Sequence, residues 1–531
     1  MPDLNARVLV CDPIAQDGIE LLRQSGVEVE VKTGLSPQEL ARVVPPYHAL
    51  IVRSQTKVTA EVIDAAANLQ VIGRAGTGVD NVDLGRATER GVLVVNAPTG
   101  NTISAAEHTI ALMLALARNI PQADASLRRG QWERERFLGV EVRGKTLGLV
   151  GLGQVGSEVA RRARGLEMRV LAYDPYVPPE RARVIGVELV GLEALLRQSD
   201  FISIHTPLTE ATRGLIGEDE LRLMKPSARL INTARGGIVD EEALCRALTE
   251  GWIAGAAVDV FAQEPLTQHP LFQLDNTVVT PHLGASTAEA QERVALDVVE
   301  QVLAVLRGEP ARYAVNAPLI PPETYSFLAP YLPVAMRTAS LAVQLCECHL
   351  GEVEIDYAGE VAAHDTTPLR AAAVRGLLAP ISEEHVNIVN VDIVVQRRGL
   401  RVTERRGPSH ETYANLISVT IRGPDGQRTT VSGTLAHDGP HIVAINEFPV
   451  DIPPAEGYLL VCENQDRPGM IGAVGTLLGS FDVNISFMNV GRHEKRGRAL
   501  MVLTLDEPLT PEQLNAVRQI PNIYSARQAR L

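Results

Sequence analysis

Short apolar runs separated by amphipathic stretches fill the first hundred positions. ARVLVCD (6–12), ALIVRS (49–54), LQVIGRAG (69–76) and VLVVN (92–96) are nearly continuous in valine, leucine and isoleucine, the pattern of strands buried on both faces. GIELLRQSG and AEVIDAAANL between them repeat their apolar positions at helical spacing. This rhythm predicts an α/β layer around a parallel sheet. SAAEHTIALMLALAR (104–118) predicts a long helix, with Ser104 as N-cap and Glu107 three residues on. A second alternating block has strands KTLGLVG (145–151), MRVLAYD (168–174), FISIHT (201–206), RLINTA (229–234), AAVDVF (256–261) and TVVTP (277–281). Helical segments separate them, as in a doubly wound nucleotide-binding unit. STAEAQERVALDVVEQVLAVLR (286–307) predicts one more long helix, stopped by Gly308, Glu309 and Pro310.

Proline then marks two breaks. APLIPPE at 317–323 reads as a linker, and PVDIPPAEG at 449–457 as a second boundary. Between them the pattern is mixed, with helices expected near 328–348 and 366–379 and strands near 415–422 and 429–435. QRRGLRVTERR (396–406) reads as a solvated basic face that could otherwise receive a phosphate-bearing effector. The last stretch, 458–531, runs strand, turn, helix, strand, strand, helix, short strand, a βαββαβ order. The fold class is therefore α/β, two doubly wound parallel-sheet domains followed by an α+β domain and a βαββαβ unit. A length of 531 residues fits three or four such domains.

Composition narrows the partners. A net charge of −14 counts against nucleic acid, because phosphate binding needs a basic face. Small anions need only a local group of arginines. The five cysteines are scattered and odd in number, which fits a reducing compartment better than a disulfide framework. Cys346, Cys348 and His349 are too few and too isolated for a metal centre, so no metal is expected. The start, MPDLNARVLVCDP, lacks a basic segment followed by a long apolar one, and IALMLALA (110–117) is too short to span a bilayer. A cytoplasmic protein without a membrane partner is expected.

The chemistry is concentrated in a few segments. Gly151, Gly153 and Gly156 of GLGQVG follow a strand and open a helix. The first permits a tight turn, the second lets a pyrophosphate approach the backbone, and the third lets helix and strand pack closely. Asp174, 18 residues beyond Gly156 at the end of the next strand, suits the two ribose hydroxyls and repels a 2′-phosphate, so NAD is the expected cofactor. His282 follows TVVTP, at a strand end where open α/β sheets place ligands. A neutral imidazole there can take the hydroxyl proton of a secondary alcohol and return it in the reverse direction. Glu264 is its expected partner, fixing the ring tautomer, and Arg235 offers a planar fork for a carboxylate.

These segments resemble the D-isomer-specific 2-hydroxyacid dehydrogenase family. GLGQVG with Asp174, HTPLT (205–209), NTARGGIVDE (232–241), DVFAQEP (259–265) and TPHLGAST (280–287) match its pattern in order. VRSQTKVT (52–59), VIGRAGTGVDNVD (71–83) and NAPTGNTISAAEHT (96–109) narrow the resemblance to the branch that oxidises 3-phospho-D-glycerate, in its long form with an intervening and a terminal ACT domain. The resemblance implies that Arg235, Glu264 and His282 are catalytic. It implies that Thr77, Gln154, Val155, Asp174, Thr206, Thr233, Ala234, Arg235, Asp259, His282, Leu283, Gly284 and Ala285 contact NAD beside the three glycines. It implies that Arg53 and Arg74 bind substrate, with Arg134 reaching in from a neighbouring subunit. The expected reaction is oxidation of 3-phosphoglycerate, the first step of L-serine synthesis, with 2-oxoglutarate reduction as a side activity.

The resemblance also implies four domains: substrate-binding (1–97 and 283–316), NAD-binding of Rossmann type (98–282), intervening (317–454) and ACT (455–531). Asp466 and Asn484 match serine-holding positions of related ACT domains, and Asn464 stands where some members carry tyrosine. L-Serine is thus the implied effector and a homotetramer the implied assembly. Without Arg53, Arg74 and the tail, the catalytic segments fit a glyoxylate or hydroxypyruvate reductase equally well, or an NAD-sensing scaffold.

Overall fold

The aliphatic runs form strands, and in the computed structural model they sort into four sheets. The structure describes residues 5–346, 350–408, 410–423, 426–454 and 457–530. Strands Arg7–Val10, Glu28–Val31, Ala49–Val52, Val71–Arg74 and Leu93–Asn96 (β1–β5) make a parallel sheet in the order β2-β1-β3-β4-β5. Four of them were legible as apolar runs. The edge strand β2, EVEV, was not, because its alternating glutamates face solvent.

Strands Thr146–Val150, Arg169–Tyr173, Glu188–Leu189, Phe201–Ile204, Arg229–Asn232, Gly255–Val258 and Thr277–Val279 (β6–β12) make a second parallel sheet, β12-β11-β10-β9-β6-β7-β8. Its order reverses between β6 and β9, and that of the first sheet between β1 and β3. Crevices for ligands open at such points, beyond the carboxyl ends of the strands.

Two long helices tie these layers together. Thr102–Ala117 buries Leu112, Met113 and Leu116 against the second sheet. Its N-cap is Asn101 rather than Ser104, and no side chain caps it. Ser104 instead donates to the Gly284 carbonyl at 2.9 Å, one turn inside the helix. Ala288–Leu306, capped by Thr287, returns the chain to the first sheet, where Val298 and Val302 sit over Gly73. A Cβ at Gly73 would come within 2.6 Å of Val298, so helix and strand touch only because that side chain is missing.

The proline stretch at 317–323 is less of a linker than expected, since a helix, Pro322–Leu328, begins within it. Strands Glu352–Gly359, Arg401–Gly407, Asn415–Arg422, Arg428–Ala436, Gly439–Ile445 and Phe448–Ile452 (β13–β18) form a mixed sheet, β14-β13-β15-β16-β17-β18. The basic stretch at 396–406 is therefore partly an edge strand. Arg405, with Arg422 of the neighbouring ladder, closes on the buried Glu354 carboxylate at 2.5 and 2.6 Å.

Strands Tyr458–Gln465, Ile485–Arg492, Arg498–Leu505 and Ile523–Arg530 (β19–β22) form an antiparallel-paired sheet, β20-β21-β19-β22, with helices Met470–Ser480 and Pro511–Arg518 on one face. The other face contributes Leu459, Val461, Leu500, Val502 and Ala529 to a core shared with helix Leu332–Leu345 of the preceding region. Cys11, Cys245 and Cys462 are free thiols and Cys346 is disulfide-bonded, while Cys348 and His349 lie outside the described residues. Among the described residues no helix is long and apolar enough to cross a membrane, and no cluster of side chains suits a metal ion.

Candidate active site

The carboxyl ends of the two parallel sheets face one cleft of about 1490 Å³, lined by Arg53, Arg74, Asp80, Arg235, Glu264 and His282 among others. Arg74 ends β4 and the others come from loops that follow strands, which is why residues so far apart in sequence meet there. His282 Nδ1 lies 2.7 Å from Glu264 Oε2. The other oxygen, Oε1, accepts the Phe261 N–H at 2.9 Å. Burial alone would raise the Glu264 carboxyl, but the bonds from His282 and Phe261 outweigh it and hold the group below its usual range. Glu264 is therefore ionised at neutral pH and accepts at Nδ1–H, which leaves Nε2 of the neutral ring free to accept a proton.

The loop that carries His282 is built around Asp259, which is 0% exposed. Asp259 Oδ1 accepts from Thr280 Oγ1 at 2.6 Å and from Leu283 N at 2.7 Å, and Oδ2 from Gly284 N at 3.0 Å. His108 adds a contact at 3.2 Å. Burial works against the Asp259 charge, yet the bonds from His108, Thr280 and Leu283 prevail and lower its pKa. This bracing matters because His282 has φ +56°, a left-handed conformation that a non-glycine residue keeps only when its surroundings impose it. Asp259, expected as a cofactor contact, thus also serves as the internal anchor of the loop.

Arg235 is held by its neighbours. Asn232, buried at the end of β10, donates to the Arg235 carbonyl at 3.0 Å and accepts from Ala234 N at 3.1 Å. Arg235 Nη1 donates to the Ala234 carbonyl at 2.6 Å and Nε reaches Asp80 Oδ2 at 3.3 Å. Gly236 lets this loop lie on the next one, because a Cβ there would stand 2.0 Å from the Phe261 carbonyl.

Arg53 and Arg74 approach from the first sheet. Asp12 accepts from Arg53 N at 2.5 Å and from Thr56 Oγ1 at 2.8 Å, and Asn81 donates to the Arg53 and Thr56 carbonyls at 2.7 and 2.6 Å. The 53–56 turn is thereby fixed from two sides. Burial, then the neighbouring Arg235, pushes the Arg74 guanidinium down to about 10. Its Nε is buried with no partner among the described residues. A half-buried cation beside two others in one cleft is an arrangement that an anion relieves.

Above β6 the glycine turn has the shape its spacing implies. Gly151 has φ +101°, and a Cβ on Gly156 would come 2.3 Å from the Gly151 carbonyl. Beside Gly153, by contrast, there is nothing within 4 Å. That open side lies at the N-terminus of helix Gln154–Gly165, where free N–H groups favour phosphate. Asp174 accepts from Leu152 N at 2.8 Å and Tyr176 N at 2.9 Å, which fixes its carboxylate beside the turn. Thr206 Oγ1 is buried with no partner among the described residues, and Thr233 meets Thr109 at 2.7 Å. Thr77 donates to Asn101 at 2.7 Å, and Gln154 accepts from Thr102 at 3.3 Å. Val155 stands in the first turn of helix Gln154–Gly165, Ala234 in the loop after β10, and Leu283, Gly284 and Ala285 in the loop after β12. The open turn and the orphaned Thr206 hydroxyl fit a dinucleotide.

Some expected residues are not brought together. Arg134 lies in a short helical turn, Arg134–Phe137, away from the cleft of its own chain, between Trp132 and Leu138, which are 83% and 89% exposed. Asp466 pairs with Arg492 at 2.7 Å, whereas Asn484 bonds to Asp506 at 2.6 Å. The ladder register puts these two residues at opposite ends of β20, roughly 25 Å apart at about 3.3 Å per residue. Asn464 is buried and donates to the Gln465 carbonyl at 2.9 Å. Asp80, Asn81 and Asp12 were missed by sequence reasoning, although Asp80 and Asn81 lie in VIGRAGTGVDNVD and Asp12 ends ARVLVCD.

Residues 110–284 match the D-isomer specific 2-hydroxyacid dehydrogenase NAD binding domain, residues 327–446 the D-3-phosphoglycerate dehydrogenase intervening domain, and residues 458–522 the ACT domain. The chain is 46% identical over 99% of its length to a D-3-phosphoglycerate dehydrogenase of Synechocystis sp., covering 95% of that protein. It is likewise 46% identical over 99% of its length to one of Archaeoglobus fulgidus, covering 100% of it. Among solved structures it is similar to a D-lactate dehydrogenase from Aquifex aeolicus complexed with NAD and lactic acid. That match has TM-score 0.54 and 28% identity, covering 59% of this chain and 99% of the other.

Proposed function

This chain belongs to the D-3-phosphoglycerate dehydrogenase family, and on that premise we propose that Arg235, Glu264 and His282 carry its reaction. The activity is NAD-dependent oxidation of 3-phospho-D-glycerate to 3-phosphooxypyruvate, which opens L-serine synthesis. The observation that supports the catalytic assignment is the 2.7 Å His282–Glu264 contact at the edge of a cleft shared with three arginines. Arg235 binds the substrate carboxylate. Arg53 and Arg74 bind the phosphate, whose charge offsets the crowding of positive charge around the half-buried Arg74. His282 Nε2 takes the C2 hydroxyl proton, and the ionised Glu264 stabilises the imidazolium that results.

When bound along the glycine turn, NAD supplies the hydride acceptor. Gly151, Gly153 and Gly156 leave room for the pyrophosphate, Asp174 selects the ribose hydroxyls, and Thr206 donates from its unpartnered hydroxyl. The test is NADH formation with 3-phosphoglycerate, with glycerate and with no substrate. Turnover of the phosphorylated acid alone is expected. A His282→Ala variant that keeps the wild-type rate overturns the assignment.

The remaining expectations continue this reading. The four domains keep the boundaries 1–97 with 283–316, 98–282, 317–454 and 455–531. Exposed Leu127, Trp132 and Leu138 support pairing of two dehydrogenase cores, with Arg134 contributed across the pair. L-Serine binds between two ACT units, because a site drawn from both Asp466 and Asn484 needs two copies of the chain. A homotetramer in the cytoplasm accommodates both pairings. 2-Oxoglutarate, another 2-oxo acid with a second anionic end, is a reductive side substrate. Titration calorimetry with L-serine up to millimolar concentration is expected to release heat and to lower activity. No heat and unchanged activity would remove the effector.

A further inference from the structure

Behind the loop that carries Glu264 lies a second imidazole–carboxylate pair. His269 Nδ1 accepts the Leu271 N–H at 3.2 Å. The ring proton of the neutral imidazole therefore sits on Nε2, which faces Glu241 Oε2 at 3.2 Å. The other oxygen of Glu241 accepts the Ala262 N–H at 2.6 Å. The preceding amide, Phe261 N–H, is the one that holds Glu264 at 2.9 Å. Two consecutive amides are thus gripped by two carboxylates, Phe261 by Glu264 within its own turn and Ala262 by Glu241 from behind.

The surroundings make this grip stiff. Glu241 is the first residue of helix Glu241–Thr249, whose N-cap Asp240 accepts from Glu242 N and Ala243 N. His269 is wedged between Phe261 and Phe272, with ring centroids 5.8 Å away in each case. Neither Glu241 nor His269 lines the cleft, so neither touches substrate.

We propose that Glu241, oriented by His269, is a positioning residue for the proton-transfer pair, setting the placement of Glu264 through the Ala262 amide. The inference rests on the assignment of Glu264 and His282 as that pair. Glu264 would otherwise ride on a short exposed loop, and a shift of about 1 Å there costs on the order of 100-fold in rate. A loosened Glu264 also supports the imidazolium less well, which the pH profile of kcat/KM registers.

The experiment compares wild type, Glu241→Ala, Glu241→Gln, His269→Gln and His282→Ala in NADH formation from 3-phosphoglycerate across pH 6 to about 10. Glu241→Ala is expected to lower kcat roughly 10- to 100-fold with KM changed less than about threefold, and to move the acid limb of kcat/KM down by about half a pH unit or more. Glu241→Gln retains an acceptor for Ala262 and recovers much of the rate, and it serves as the readout if the alanine variant fails to fold. A Glu241→Ala enzyme with wild-type kcat and an unmoved acid limb overturns the proposal. So does a fall in kcat with the acid limb unmoved, which marks a merely structural role. An active His282→Ala enzyme instead overturns the catalytic assignment itself, so the two failures are distinguishable.

Discussion

Asp80 reaches Arg235 across the cleft, with Oδ2 3.3 Å from Nε, so the cation assigned to the substrate carboxylate already faces a carboxylate of the protein. Asp80 comes from the first sheet's loops and Arg235 from the second's. Asp80 is thus a counter-ion that an anionic substrate must displace or tolerate. Asp80→Asn is expected to lower KM for 3-phosphoglycerate about 2- to 10-fold with little change in kcat, the scale of one partly exposed charge. A raised KM would show instead that Asp80 holds Arg235 in place.

Two glycines of the cleft make a contrasting pair. A Cβ at Gly78 would stand 2.2 Å from Arg235 Nη2, the far end of a side chain that can swing away. A Cβ at Gly236 would stand 2.0 Å from the Phe261 backbone, which cannot. Gly78→Ala is therefore expected to raise KM while leaving thermal stability near wild type. Gly236→Ala is expected to lower kcat by about 100-fold and reduce Tm, because it displaces the loop bearing Glu264. Steady-state kinetics and a thermal melt on both variants check the contrast.

Asp259→Ala removes the acceptor of two backbone amides and a hydroxyl in the loop whose His282 is strained. The expected loss is about 2–4 kcal/mol of stability, measured by denaturant unfolding, together with most of the activity. Asp259→Asn, which keeps one acceptor oxygen, is expected to lose less.

The acid side of the stability profile follows from Asp259 and Glu264, whose folded-state pKa values both lie below their ordinary 3.8 and 4.5. A depressed carboxylate stabilises the fold fully above its unfolded value, and the contribution disappears as pH falls through the folded value. Stability is thus expected to be insensitive to these groups above about pH 5 and to drop progressively below about pH 4.5. Melting temperatures from pH 3 to about 7 test this, and the slope below pH 4.5 should flatten in Asp259→Asn.

Arg74→Ala removes a half-buried cation whose Nε has no partner among the described residues. An expected loss of about 2–3 kcal/mol in kcat/KM for the phosphorylated substrate corresponds to roughly 30- to 150-fold. The KM for NAD should be affected far less.

The parallel strands and the cofactor turn were legible because both are written locally: an aliphatic run marks a strand buried on both faces, and three glycines at fixed spacing mark the turn. The Glu264–His282 pair was legible as chemistry, since a carboxylate and an imidazole past neighbouring strands suggest partnership before any distance is known. Asp80 was not. The segment VDNVD holds two aspartates, and sequence does not reveal that Asp83 caps helix Leu84–Glu89 while Asp80 crosses to Arg235. Ser104 failed as a cap for a similar reason, because a tertiary acceptor, the Gly284 carbonyl, is nearer than the helix start. The strands β13, β14, β17 and β18 were missed because their side chains are interrupted by glutamates, arginines and a histidine that the mixed sheet turns outward or pairs across strands. The separation of Asp466 from Asn484 depends on ladder register, which no local pattern encodes.

The sheet β19–β22 buries Leu459, Val461, Leu500, Val502 and Ala529 in the same core as helix Leu332–Leu345. The final seventy or so residues are therefore no detachable cassette. Cutting the chain at the boundary near 457 would uncover an oily surface on both fragments, and the truncated enzyme would aggregate before it revealed anything about regulation.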